Sequence, residues 1–278
     1  FNKGKISDSI EILEGVIKDN PDGELLLNMI EGCYASQGQP DMAIKCYQKA
    51  LTIKPDYAVP QHMLNALTGN TSTEPPKEYV KNLFDDYAER FDDSLIKQLE
   101  YKLPFLMKEL ILKLDPTRKI FEKVIDLGCG TGLTGKELRD ISNNLTGIDI
   151  SSNMVPKTRE LDVYDHLIVG DIVDILSSSN EKYDLFIALD VLVYIGELTK
   201  IFKTVRQCSN ENAIFIFSVE SQIDDGYSLL KSARYAHSDD YILNIASDGF
   251  KVIDSQEVKL RKVKEGRIDG KIFIVQAS

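Results

Sequence analysis

The chain predicts an α/β fold, a doubly wound, mostly parallel seven-stranded sheet closed by an antiparallel C-terminal hairpin, with a small all-α domain before it. Three observations carry this. From Val124 onward, short apolar runs that end in Gly or Asp alternate with segments of helical periodicity, the pattern of parallel strands joined by crossover helices. The last two apolar runs, 250–260 and 271–277, flank a charged turn near Gly266 to Gly270 and read as a hairpin. The N-terminal third superposes on itself with a period of 34 residues, placing Pro21 on Pro55, Ser9 on Ala43, Leu13 on Tyr47 and Val16 on Ala50.

Within residues 24–55, Leu27, Ile30, Tyr34, Ala43, Tyr47, Ala50 and Pro55 occupy the packing positions of a helical pair. This arrangement resembles the tetratricopeptide repeat (TPR), with Glu31 in place of the usual small residue. One full repeat is expected, with half of another before it, and residues 58–67 add a capping helix. Such repeats are stabilised by stacking and usually need about three units. Either further helices precede these or they lean on the second domain. Because the chain opens at Phe1 in mid-repeat without a starting Met, further repeats are expected in the natural protein.

The polar stretch 69–76, Gly-Asn-Thr-Ser-Thr-Glu-Pro-Pro, reads as a linker. Beyond it Tyr79, Val80, Leu83, Phe84, Tyr87, Ala88 and Phe91 recur at helical spacing. The expected organisation is therefore 1–70 for the repeats, 71–115 for the linker and leading helices, and 116–278 for the sheet domain.

The first strand of that domain ends in Asp126-Leu-Gly-Cys-Gly-Thr-Gly132. Gly128, Gly130 and Gly132 let the backbone turn sharply and approach a ligand without intervening Cβ atoms. The spacing is G-x-G-x-G, whereas dinucleotide sites show G-x-G-x-x-G and seat a pyrophosphate, which Asp126 would repel. The motif resembles that of the class I S-adenosylmethionine (SAM) methyltransferases, a Rossmann-like fold. The resemblance implies that Asp126 helps hold the methionine part of SAM. It also places Cys129 and Leu133 along the cofactor.

The next apolar run ends at Asp149, where strand, glycine turn, helix, strand and acid follow the order that binds a ribose in doubly wound sheets. Ile150 and Met154 join this set by resemblance; the structural alternative is an acid that opens the next helix. Leu167-Ile-Val-Gly-Asp171 resembles the adenine-binding segment, with Asp171 or the Ile172 backbone as the contact, or Asp171 as a helix start. A fourth strand, 183–190, leads through Val191-Leu-Val-Tyr194 into a helix near Gly196. By resemblance Leu189, Asp190 and Tyr194 line the reaction cleft, with Asp190 and Tyr194 the catalytic candidates. Asp190 equally reads as a turn acceptor and Tyr194 as a packing residue. The segment 84–92 resembles a lid, so Tyr87 and Phe91 are candidate covers of the cofactor, or else pack on the sheet.

Residues 213–220 read as a fifth strand, and Arg234 to Gly249 as a helix started by Ser238 and stopped by Gly249. His237, just ahead of that cap, reads as structural rather than as a proton carrier.

Composition narrows the function. With 43% hydrophobic residues in 278, the chain can bury one sizeable core plus a small helical unit. No run approaches the roughly 20 apolar residues that span a membrane, and residues 1–20 carry no secretory signal, so a cytoplasmic protein is expected. Cys33, Cys46, Cys129 and Cys208 are scattered, and with three His no metal set emerges. A net charge of −11 disfavours nucleic acid. The most basic stretch, 259–264, reads as edge-strand protection. The expected function is methyl transfer from SAM to a small molecule. The alternatives are a protein acceptor recruited through the repeats and an interaction protein that binds SAM without catalysis.

Overall fold

The computed structural model describes residues 40–88, 101–114, 120–263 and 266–278. The first repeat half and Phe91 lie outside the described residues. The chain divides into two compact units, Phe1–Pro76 with Leu229–Arg234, and Lys77–Ser228 with Tyr235–Ser278.

In the first unit α1 (Pro40–Ile53) starts on a proline, whose missing N–H costs nothing at a helix start. It buries Ala43, Tyr47 and Ala50 at helical spacing. The next helix, α2 (Ala58–Thr68), buries Pro60, His62 and Ala66 and ends on left-handed Gly69, whose N–H caps the Asn65 carbonyl. His62 Nε2 lies 3.4 Å from the Ala233 carbonyl, and Thr71 Oγ1 accepts the Leu229 N–H at 3.1 Å.

The second unit opens with α3 (Lys77–Tyr87) and α4 (Leu103–Leu114). There follow β1 (Phe121–Leu127), α5 (Leu133–Leu138), β2 (Ser142–Asp149), α6 (Met154–Glu160), β3 (His166–Val169), α7 (Ile172–Ser178), β4 (Tyr183–Ala188), α8 (Thr199–Gln207) and β5 (Ser209–Ser221). The chain closes with β6 (Tyr227–Leu229), β7 (Tyr235–His237), α9 (Asp239–Ala246), β8 (Phe250–Val263) and β9 (Gly266–Ala277).

The seven expected strands run in the order β3-β2-β1-β4-β5-β9-β8, parallel up to β5 and antiparallel from there, and β7 and β6 add to them at the end of β5, so that the sheet has nine strands among the described residues rather than seven. Alternation places Leu185 and Ile187 on one face with α4 and α5, and Phe186 and Ala188 on the other with α7, α8 and α9. Phe202 of α8 sits edge-on to Phe215, Phe217 and Phe250, the aromatic centre of the latter face. After β1 the chain winds to β2 and β3, then crosses back to β4 on the other side of β1. The C-terminal end of β1 is thus the switch point, where parallel sheets open a crevice.

Three expectations are corrected. Residues 235–237 are not helical: they form β7, which extends the sheet beside Glu220 and Ser221, and the helix begins after Ser238, whose Oγ accepts the Tyr241 N–H. The helix expected near Gly196 starts at Thr199, after a 3₁₀ turn at Leu192–Tyr194. The hairpin strands run past the expected turn, with Lys259 opposite Asp269 and Val263 opposite Gly266.

Candidate active site

The glycine turn follows β1 at the switch point. Gly128, Gly130 and Gly132 have φ of 76°, 52° and 89°, all left-handed, which favours glycine. A Cβ on Gly128 would lie 2.4 Å from Val191 Cγ2, so the crevice between the β1 and β4 loops tolerates no side chain there. The turn is tied to β2: the Gly128 and Cys129 N–H groups both donate to the Ile148 carbonyl, at 2.8 and 2.9 Å.

Two acids flank the turn from neighbouring strands. Asp126 is buried, and burial, with the Asp149 charge adding, lifts its carboxyl to about 7 against the pull of a Tyr164 hydroxyl that donates to it at 2.6 Å. Asp149 is also buried and raised by that burial. Its Oδ2 accepts the Gly130 N–H and its Oδ1 the Ser151 N–H, both at 2.8 Å. Each oxygen retains a lone pair for a further donor. Cys129 is buried between these acids, and burial pushes its thiol well up. Beyond the turn, Leu133 opens α5; Ile150 follows β2, and Met154 is fully buried at the start of α6.

Past β3, Asp171 caps α7 by accepting the Asp174 N–H at 3.0 Å, with Ile172 the first helical residue. Lys77 of α3 reaches both Asp171 (3.4 Å) and Asp174 (2.6 Å). Asp85 of the same helix accepts the Ser151 hydroxyl (2.6 Å) and the Asn153 N–H (3.1 Å). Phe84 meets Tyr194 edge-on at 5.1 Å. Helix α3, with Tyr87 at its end, therefore touches the loops after β2, β3 and β4.

The β4 loop carries Leu189, buried, and Asp190, whose φ of 58° is left-handed. The Asp190 N–H donates to Ser218 Oγ at 2.8 Å. Its carboxylate takes a charge-assisted bond from Arg261 Nη1, while Arg261 Nη2 holds Glu220. Arg261 is 1% exposed and its Nε has no hydrogen-bond partner among the described residues. The reading of 259–264 as surface protection therefore fails at Arg261, which a register shift between Lys259 and Lys262 brings inward. Tyr101, just ahead of α4, has its hydroxyl pushed well up by burial and then by the charges of Asp190 and Asp126.

Sequence reasoning missed Tyr101, Tyr164, Asp85, Ser218 and Arg261. Only Tyr164 left a readable trace, the glycine at position 135 inside α5, since glycine in a helix costs about 1 kcal/mol and signals close packing. His237 is buried, its ring stacked on Tyr241 and its Nε2 3.0 Å from the Gly196 carbonyl.

Comparison with known proteins places these features in context. The family profile described as Methyltransferase domain matches residues 97–258, more than half of the chain, and that described as Tetratricopeptide repeat matches 33–57. The chain is 23% identical over 125 residues to a ubiquinone biosynthesis O-methyltransferase of Glaesserella parasuis serovar 5, covering 42% of this chain and 53% of that protein. It is 24% identical over 147 residues to an 18S rRNA (guanine-N(7))-methyltransferase of Arabidopsis thaliana, covering 49% of this chain and 51% of that one. The chain spans about half the length of these curated relatives. Among solved structures, the fold is similar to magnesium protoporphyrin IX methyltransferase from Synechocystis PCC 6803 with bound SAM, at TM-score 0.55 and 19% identity, covering 73% of this chain and 97% of that one.

Proposed function

The chain belongs to the methyltransferase-domain family, and from that membership and the geometry of the glycine turn we propose that it transfers a methyl group from SAM to an acceptor, in the first reading a small molecule. The observation that carries this is the pair of buried carboxylates, Asp126 and Asp149, at the turn where the sheet switches direction. Such a site suits a ligand with an ammonium, a sulfonium and a ribose, and opposes a pyrophosphate. Bound there, SAM supplies a methyl group activated by its sulfonium.

In this proposal Asp126 holds the methionyl ammonium and the turn from Gly128 to Leu133 lies alongside, with Cys129 closing it from below. Asp149, flanked by Ile150 and Met154, offers its free lone pairs to the ribose hydroxyls. Asp171 and the Ile172 backbone face the adenine, and Tyr87 covers it. Leu189, Asp190 and Tyr194 face the acceptor. Arg261 grips the Asp190 carboxylate, which holds it in place as a hydrogen-bond acceptor that orients the nucleophile. Methyl transfer then rests on in-line positioning in a water-poor cleft. A division at 1–70, 71–115 and 116–278 assigns this chemistry to the last two segments.

Calorimetric titration with S-adenosylhomocysteine (SAH) tests the reading, with NAD as control. Micromolar binding of SAH alone is expected. Gly130→Asp, which strains a φ of 52° and sets a third carboxylate against Asp149, is expected to abolish that binding. Failure of the unaltered protein to bind SAH would favour an interaction protein. A second reading, a protein acceptor recruited through the helical repeats, is favoured by the repeat match at 33–57 and would show as labelled methyl on a captured protein. Among the described residues no helix is long and apolar enough to cross a membrane, and we place the protein in the cytoplasm, where its scattered thiols stay reduced.

A further inference from the structure

Around the phenol of Tyr164 three separate elements give up their side chains. A Cβ on Gly135 of α5 would lie 2.3 Å from the Tyr164 Cζ. One on Gly147 of β2 would lie 3.0 Å from Cδ1, and one on Gly132 of the turn 3.3 Å from Cε2. The ring fills the resulting notch. Its hydroxyl donates to Asp126 Oδ2 at 2.6 Å.

We propose that Tyr164 is a positioning residue for cofactor binding, which keeps the Asp126 carboxylate fixed and ionised so that it can receive a ligand ammonium. The inference rests on the SAM reading above. The groups that face Asp126 are Tyr164, the Asp149 carboxylate, the Cys129 thiol and the Tyr101 hydroxyl. Burial and Asp149 both favour its protonated form, and the Tyr164 hydroxyl opposes them. Without that hydroxyl the carboxyl holds its proton to higher pH and must release it before an ammonium can pair.

The test compares SAH binding by the unaltered full chain and by Tyr164→Phe from pH 6 to 8.5, in two buffers of different ionisation enthalpy. A hydrogen bond to a charged group predicts roughly tenfold weaker binding by the variant at pH 7. The deficit should narrow toward pH 8.5, and more protons should be released per ligand bound than in the unaltered protein. Gly135→Ala, which presses a methyl on the ring but keeps the hydroxyl, should weaken binding in the same pH-dependent sense. If Tyr164→Phe binds SAH with unchanged affinity, or is weakened equally at every pH with unchanged proton release, the inference is overturned. If the unaltered protein binds no SAH, the cofactor reading itself fails and the inference falls with it.

Discussion

The Arg261 guanidinium is the largest fully buried charged side chain of the sheet unit, and it bridges acids from two strand ends, Asp190 after β4 and Glu220 on β5. Removing the guanidinium takes the shared countercharge away from both acids, a loss of roughly 3–5 kcal/mol, whereas replacing all three members by neutral groups costs far less. Arg261→Met should therefore destabilise the sheet unit by about that amount in urea unfolding. Combining it with Asp190→Asn and Glu220→Gln should recover most of the loss. Equal stability of the single and triple variants would show that the cluster carries no such charge imbalance. Residue-scale legibility divides along the same line. Asp126, the three glycines and Asp149 were readable because a turn demands them in a fixed local order. Arg261 was not, because its inward direction comes from a bulge in β8 that no local spacing records. Asp190 was readable as the end of the fourth apolar run, while its ion partner stands 71 positions away.

At the scale of elements, long periodic segments were legible and short ones were not. Helix α9 announced itself through Ser238 and two following acids, and its cap is as expected. The three-residue strands β6 and β7 have no room for a period, and their identity comes from pairing: β7 with the end of a 13-residue β5 that runs beyond its partner β4, and β6 with β7. The leading helix α3 shows a different limit. Its apolar face was read correctly as helical, yet no residue within it is fully buried. Polar ties at both ends and the Phe84–Tyr194 contact hold it instead. Asp85 is the densest of these ties, and although burial acts to raise it, bonds from Lys81, Ser151 and Asn153 hold its carboxyl below the usual range. Asp85→Ala should accordingly speed amide exchange across residues 77–87 by about tenfold, the equivalent of one or two charge-assisted bonds, with exchange in β1 and β4 unchanged. Uniform acceleration through the sheet would mean that α3 opens only with global unfolding.

For the whole molecule, the alternation of strands and helices announced a mostly parallel sheet with an antiparallel edge, while the strand order that opens the crevice comes from packing. The response of the folded sheet unit to pH depends on groups that only packing reveals. Burial lowers His237 to about 4, against an ordinary value of 6.5. Below pH 6.5 the unfolded chain takes up this proton and the native ring does not, so the His237 contribution is complete above 6.5 and is lost as pH falls through 4, on the order of 3 kcal/mol in all. Asp126 has the opposite sign. Its native carboxyl titrates near 7 against an ordinary 3.8, so its contribution is complete below 3.8 and is lost as pH rises through 7. Between pH 4 and 6.5 the two slopes oppose each other. His237→Phe keeps the ring between Tyr227 and Tyr241 but removes the titration, at a uniform cost for the lost Gly196 bond. The stability difference between the unaltered protein and this variant, from urea unfolding followed by circular dichroism, should therefore grow with pH from 4 to 6.5 and level off above. A difference independent of pH would show that the buried ring titrates as it does in the unfolded chain. On the proposed SAM site, saturating SAH should separately remove the Asp126 slope, since an ammonium held by Asp126 would keep that carboxyl ionised at every pH in the range.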